Sequence, residues 1–264
     1  MTIALIVVGD EILSGKRVDK HLAKVIELLG ARGMELARAE YVGDDPVRIT
    51  ETLRRAFASG DIVFSTGGIG ATPDDHTRQS AAAALGRPLV LHPEARGFVL
   101  ERMRDVAAEK GLPYEPDRPD NVHRLNMAVF PEGASIVPNP YNKIAGFSVG
   151  DVHFVPGFPV MAWPMIEWVL DTRYVALHRT PEVRERSVIV LGAMEAALTP
   201  LMEAVECEFT GIKVFSLPSV DSAEHGPHIE LGVKGDAAHL AAAFERLLAG
   251  LAERGARMGP TLVR

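Results

Sequence analysis

Apolar positions follow two rhythms along this chain. Ile3-Ala-Leu-Ile-Val-Val8 is an unbroken run, the pattern of a strand covered on both faces. Beyond it Val18, Leu22, Val25, Ile26 and Leu29 recur at helical spacing and stop at Gly30. Residues 34–42 read as a second strand and 46–58 as a helix with Val47, Leu53, Ala56 and Phe57 free to pack; 61–65 read as a third strand. This alternation predicts a doubly wound, mostly parallel sheet, which takes ligands beyond the carboxyl ends of its strands. Gly9-Asp-Glu11 and Thr66-Gly-Gly68 follow strand ends and are expected on one edge.

A helix over 94–109, a Pro-rich stretch over 113–119 and short strands at 135–137 and 152–155 come next. The turn Pro156-Gly-Phe-Pro159 then leads into an apolar helix over 160–177. Residues 178–182 read as a linker. A strand at 187–192, a helix at 194–205, a hairpin from 211–217 and 228–233, and a helix at 236–253 form a small βαββα unit, with the tail from Arg254 expected to be loose. The domains predicted are therefore 1–178 and 184–256.

Composition adds exclusions. Apolar residues make up 47% and charged residues 24% of the 264, an ordinary globular balance. A net charge of −7 argues against broad binding to nucleic acid or anionic membrane. Cys207 stands alone, which excludes an internal disulfide and fits a reducing compartment. The N-terminus lacks a basic leader, and no apolar run reaches the ~18 residues that span a bilayer. A cytoplasmic protein is expected.

The segment richest in chemistry is Ser65-Thr-Gly-Gly-Ile-Gly-Ala-Thr-Pro-Asp-Asp-His-Thr77. Gly67, Gly68 and Gly70 can bring bare backbone N–H groups close to an anion, helped by a following helix N-terminus. Asp74 and Asp75 would repel a phosphate there unless a divalent cation bridges them. The rival reading is simple capping, since Thr72-Pro73 suits an N-cap and first helical position. Asp44-Asp45-Pro46 divides the same way, between ligand chemistry and capping. The spacing matches neither GxxxxGK[ST] nor GxGxxG.

Gly9-Asp-Glu-Ile-Leu-Ser-Gly15, Val42-Gly-Asp-Asp45, Thr66 to Thr77, Pro131-Glu-Gly-Ala134, Asn139-Pro140 and Pro156-Gly-Phe-Pro159 occur together in that order. With them the chain resembles the molybdopterin-binding-like domain, closest to the N-terminal part of the competence/damage-inducible protein A family, over residues 1 to about 175. The C-terminal unit also resembles the small domain that follows in that family. The resemblance implies a three-layer α/β/α sandwich with a small C-terminal α+β domain, assembled as a homo-oligomer. It further implies a metal-dependent nucleotide pyrophosphatase acting on ADP-ribose or a dinucleotide, using Mg, Mn or Co. The alternatives are a molybdopterin-binding protein of molybdenum-cofactor biosynthesis, or a non-catalytic nucleotide or pterin binder.

Carried over by position, Thr66, Gly67, Gly68 and Gly70 would donate to phosphate, while Asp75 and Asp74 would be catalytic. Asp74, Asp75, Asp45 and Glu11 would hold the metal, with Asp10 and Asp44 in the same acidic pool. Gly157 lies in the turn that forms a second phosphate-facing edge in relatives, where a plain rigid turn also fits. Lys143 is a candidate phosphate counter-ion, and a solvated surface lysine fits equally well. His76 reads as structural, Trp163 and Trp168 as core, and His225 with His228 as a polar turn.

Overall fold

The computed structural model describes residues 2–179, 185–220, 222 and 224–263. Its contacts divide the chain into units covering residues 1–180 and 181–264. Residues 180–184, which include most of the expected linker, lie outside the described residues.

In the first unit the chain runs β1 (Ile3–Val8), α1 (Asp10–Leu13), α2 (His21–Gly30), β2 (Arg38–Val42), α3 (Pro46–Ser59), β3 (Ile62–Thr66) and α4 (Thr77–Leu85). It continues through β4 (Leu89–Leu91), α5 (Pro93–Glu109), α6 (Pro119–Arg124), β5 (Val129–Pro131), β6 (Ser135–Val137), β7 (Gly146–Val149), β8 (Val152–Val155) and α7 (Pro159–Arg173). The main sheet has the order β2-β1-β3-β8-β7-β6. β2, β1, β3 and β8 are parallel, whereas β7 runs against both β8 and β6. The expected doubly wound α/β/α architecture is therefore present, with an antiparallel hairpin on one side.

Its central strand explains the layers. Ile3, Leu5 and Val7 join Val25, Leu28 and Leu29 of α2 and Met165, Ile166, Val169 and Leu170 of α7. Ala4, Ile6 and Val8 point the other way, into a cluster with Ile49, Leu53 and Ala56 of α3 and with Phe147 and Phe154. A strand sandwiched between helices must be apolar at every position, so β1 shows no polar alternation. Leu53 is fully buried, and Leu53→Ala would cost about 2–5 kcal/mol.

Local signals set the helix ends. Asp45 accepts from the Arg48 N–H at 2.8 Å, Pro46 follows it, and Gly60 closes α3 in the left-handed region. α2 begins at His21, because Asp19 accepts from the His21 and Leu22 N–H groups. The stretch expected to be helical from Val18 is thus partly loop. α4 begins at Thr77, so Thr72-Pro73 does not start a helix, and Asp74 and Asp75 are loop residues rather than first-turn caps.

The second unit comprises β9 (Glu185–Leu191), α8 (Glu195–Glu208), β10 (Ile212–Ser219), β11 (His228–Gly235), α9 (Ala237–Glu253) and β12 (Arg257–Val263). Its sheet order is β10-β11-β9-β12, antiparallel throughout. Val188, Val190, Leu231 and Val233 pack on Leu198 and Leu201 of α8 and on Phe244 and Leu247 of α9. The expectation of a loose tail is corrected here: residues 257–263 pair with β9 as an edge strand. Pro260 disguised that strand in the sequence. It falls where the register shifts between Met258 and Thr261, a position an edge strand tolerates.

Candidate functional site

β1, β2, β3 and β8 end on one edge, and their loops line a cavity of about 490 Å3. Its wall includes Gly9, Glu11, Asp44, Thr66, Gly67, Gly68, Gly70, Asp74, Asp75, Pro156 and Gly157. Glu11 and Asp75 therefore share one site, as expected for loops that follow parallel strands.

The glycine loop is held from several sides. Gly67 has φ 97°, and its N–H donates to the Val155 carbonyl at 3.0 Å. A Cβ there would collide with the Val8 carbonyl, and one on Gly68 (φ 66°) would collide with the Thr77 hydroxyl. Only glycine meets both conditions without strain. Thr77 fastens the loop by donating its hydroxyl to the Gly67 carbonyl at 3.0 Å and its N–H to the Gly68 carbonyl at 2.9 Å. Beneath it the buried Arg78 guanidinium donates to the carbonyls of Gly70 (2.6 Å) and Asn126. Burial pushes the Arg78 pKa down, and the negative charge of Asp75 opposes that shift. Gly157 stands close to the loop, since a Cβ on it would lie 3.3 Å from Gly67 Cα.

The acidic residues play unequal parts. Asp75 Oδ2 accepts from the Thr72 N–H at 2.8 Å and the Thr72 hydroxyl at 2.6 Å, which closes the loop on itself. The carboxylates of Asp10 and Asp44 each accept the other's backbone N–H, at 3.2 and 2.9 Å. Burial, then the nearby charges of Asp10, Glu11 and Asp74, holds the Asp44 carboxyl above the usual carboxylate range, against the lowering effect of the Asp10 N–H. Asp10, Glu11, Asp44 and Asp74 border one groove beside the cavity. Among the described residues no three His, Cys, Asp or Glu side chains are placed to hold a metal ion by themselves.

Two candidate residues are used elsewhere. Asp45 is the N-cap of α3 and is absent from the cavity wall. The Lys143 ammonium is bound by Glu101 at 2.6 Å and Asp105 at 2.7 Å, also outside that wall. His76 stands at the N-cap position of α4 without a side-chain cap, and Trp163 packs against the α2/α7 core. Trp168 is 36% exposed, so it is only partly in the core expected for it. His228 Nδ1 donates to the Gly226 carbonyl at 2.8 Å and its ring meets His225 edge-on, a polar turn as expected.

The sequence reading missed Arg17, His21 and Arg78. His21 is buried in the cavity wall, and its Nε2–H must be the donor to the Gly157 carbonyl at 3.0 Å, because a carbonyl only accepts. Its Nδ1 has no partner among the described residues. Position just beyond the first strand's loop was the available signal for His21; Arg78 carried none beyond being next to Thr77.

The wall also has an apolar part: Ile12, Ile69, Met127, Ile144, Ala145, Phe158 and Met161. A bare-backbone anion cradle facing an apolar recess suits a small molecule with a phosphate at one end and a ring at the other. Residues 4–176 match the family described as a probable molybdopterin binding domain. The chain belongs to that family. The molybdopterin-binding-domain match contains the whole glycine loop and every other residue of the cavity wall.

A CinA-like protein of Syntrophotalea carbinolica is 32% identical over 220 residues, which cover 79% of this chain and 51% of that protein. The chain thus spans about half the length of the CinA-like relative. A protein of Pyrobaculum calidifontis is 32% identical over 221 residues, covering 82% of this chain and 80% of its own. Among solved structures, the protein CinA of Thermoplasma acidophilum, described as having unknown function, matches with a TM-score of 0.54 and 27% identity, covering 65% of this chain and 98% of that one. Among the described residues no helix is long and apolar enough to cross a membrane.

Proposed function

We propose that the first unit binds a phosphorylated pterin-type small molecule, or a nucleotide of similar size. The phosphate would sit on the backbone of residues 66–70 and the ring against Met127, Ile144 and Met161. The observation that carries this reading is the glycine loop, whose positive-φ residues are fixed against Val8 and Thr77 on the cavity wall. Membership of the probable molybdopterin binding domain family supports a pterin over other rings. Calorimetric titration without divalent metal tests it, using a pterin phosphate, AMP and their dephosphorylated forms. Binding of at least one phosphorylated ligand, at least about tenfold tighter than its dephosphorylated form, is expected. Equal affinity with and without the phosphate contradicts it.

A second reading, metal-dependent nucleotide pyrophosphate hydrolysis, rests on the groove of Asp10, Glu11, Asp44 and Asp74. Mg²⁺ keeps waters and is commonly held by one or two carboxylates plus ligand phosphates, so a preformed three-ligand cage is not required. Such an ion would polarise a phosphoryl oxygen and activate a water. ADP-ribose and dinucleotides tried with Mg²⁺, Mn²⁺ and Co²⁺, with product nucleotides followed, test this reading; no turnover with any pair leaves binding alone. Homo-oligomeric assembly belongs to this proposal as well and is checked by light scattering.

A further inference from the structure

An anion entering this cavity meets four carboxylates, from Glu11, Asp44, Asp74 and Asp75. Against them the wall has one cationic side chain among the described residues, Arg17. Lys16 borders only the outer acidic groove, and Arg78 lies beneath the loop with its donors on backbone carbonyls.

Arg17 is arranged for the task. Its N–H donates to the Glu11 carbonyl at 2.9 Å, which fixes the root of the side chain. Its guanidinium lies 6.0 Å from the centre of the Phe158 ring, which lines the same cavity. Phe158 is 54% exposed at the N-cap position of α7, so its ring face is open to the cavity. Arg17 forms no ion pair with any carboxylate among the described residues. A guanidinium over a ring face at this distance and without a carboxylate partner keeps its N–H fork open, and that fork takes a phosphate or carboxylate through two parallel hydrogen bonds.

We propose that Arg17, beside Phe158, is the specificity-determining residue of this site and receives a second anionic group that the glycine loop does not reach. The assignment rests on the binding function proposed above. The glycine loop takes the first anion through backbone donors common to any chain. Arg17 decides whether a ligand with one charged group or two is preferred, because without it a further negative charge faces only carboxylates.

Inorganic phosphate and pyrophosphate, titrated in metal-free buffer and followed by the amide signals of Gly67, Gly68 and Gly70, test this without assuming the ring. Wild-type protein is expected to bind pyrophosphate about tenfold or more tightly than phosphate. Arg17→Gln should bring that ratio near one while leaving phosphate affinity within about twofold, and Arg17→Lys should keep an intermediate ratio. Lys16→Gln serves as the control and should keep the wild-type ratio. An unchanged ratio in Arg17→Gln, or equal losses for both anions, overturns the role of Arg17 and leaves the glycine-loop site standing. If neither anion moves the loop signals of the wild type, the binding function itself fails and the assignment falls with it.

Discussion

His153 Nε2 lies 2.7 Å from the hydroxyl of Tyr174, and the direction of that hydrogen bond fixes the state of the imidazole. The Tyr174 O–H donates to Asp151 at 2.7 Å, so its oxygen accepts from His153. Nδ1 must then be the acceptor for the Ser148 hydroxyl, also at 2.7 Å. A neutral, fully partnered histidine thus ties β7 and β8 to the end of α7. Burial, with Arg173 adding repulsion, pushes its pKa down to about 3.

Stability should therefore depend on pH through His153. Its folded value of about 3 lies below the ordinary 6.5, so between those limits the unfolded chain binds more protons. Its contribution is complete above the unfolded value and is lost as pH falls, by up to about 1.4 kcal/mol per pH unit. Urea denaturation at pH 7, 6 and 5 should show a steeper loss for wild type than for His153→Gln. Parallel lines for the two proteins would mean that His153 takes up its proton in the fold as readily as in the unfolded chain.

Gly67→Ala places a Cβ against the Val8 carbonyl at φ 97°. Strain of this kind costs about 1–3 kcal/mol, and relief requires the loop to move off β1. A lower denaturation midpoint together with lost phosphate affinity is expected. Gly86→Ala, at φ 64° with open space around it, is the control: it should share the strain but keep the affinity.

Asp75→Asn separates loop closure from metal chemistry. Asp75 accepts both donors of Thr72, so losing its charge should cost about 0.5–1.5 kcal/mol while the fold persists. Phosphate affinity measured without metal should hold or improve, because a negative charge has left the wall. If hydrolysis is found, this variant should lower it about a hundredfold or more. Wild-type turnover in a folded Asp75→Asn protein would return Asp75 to a purely structural role.

Lys143→Ala should leave ligand affinity within about twofold, since its ammonium is engaged by Glu101 and Asp105 away from the cavity wall. A tenfold or greater loss of phosphate binding, seen by calorimetry, would restore Lys143 as a counter-ion.

Much of this arrangement is legible in the sequence. The apolar run of β1 announced a covered parallel strand, and the glycines after β3 announced close backbone approach at a sheet edge. Asp45 shows where such reading stops: ligand and N-cap need the same residue type, and only the Arg48 N–H at 2.8 Å decides between them. Lys143 depended on partners 42 and 38 residues away, which no local pattern reveals. β12 was hidden because Gly259 and Pro260 interrupt its apolar alternation. Arg17 was hidden because its neighbour Phe158 arrives only after seven further strands and five helices have brought the two loops together.

The function of this site turns on whether the backbone of residues 66–70 receives a ligand phosphate. A crystal structure of the protein with a bound pterin phosphate or nucleotide tests it most directly. Phosphate oxygens are expected about 2.7–3.2 Å from N–H groups of residues 68–70, since the Gly67 N–H is held by Val155, with the ring against Met127, Ile144 and Met161. A ligand bound with its phosphate away from this loop, or seated outside the cavity, would contradict it.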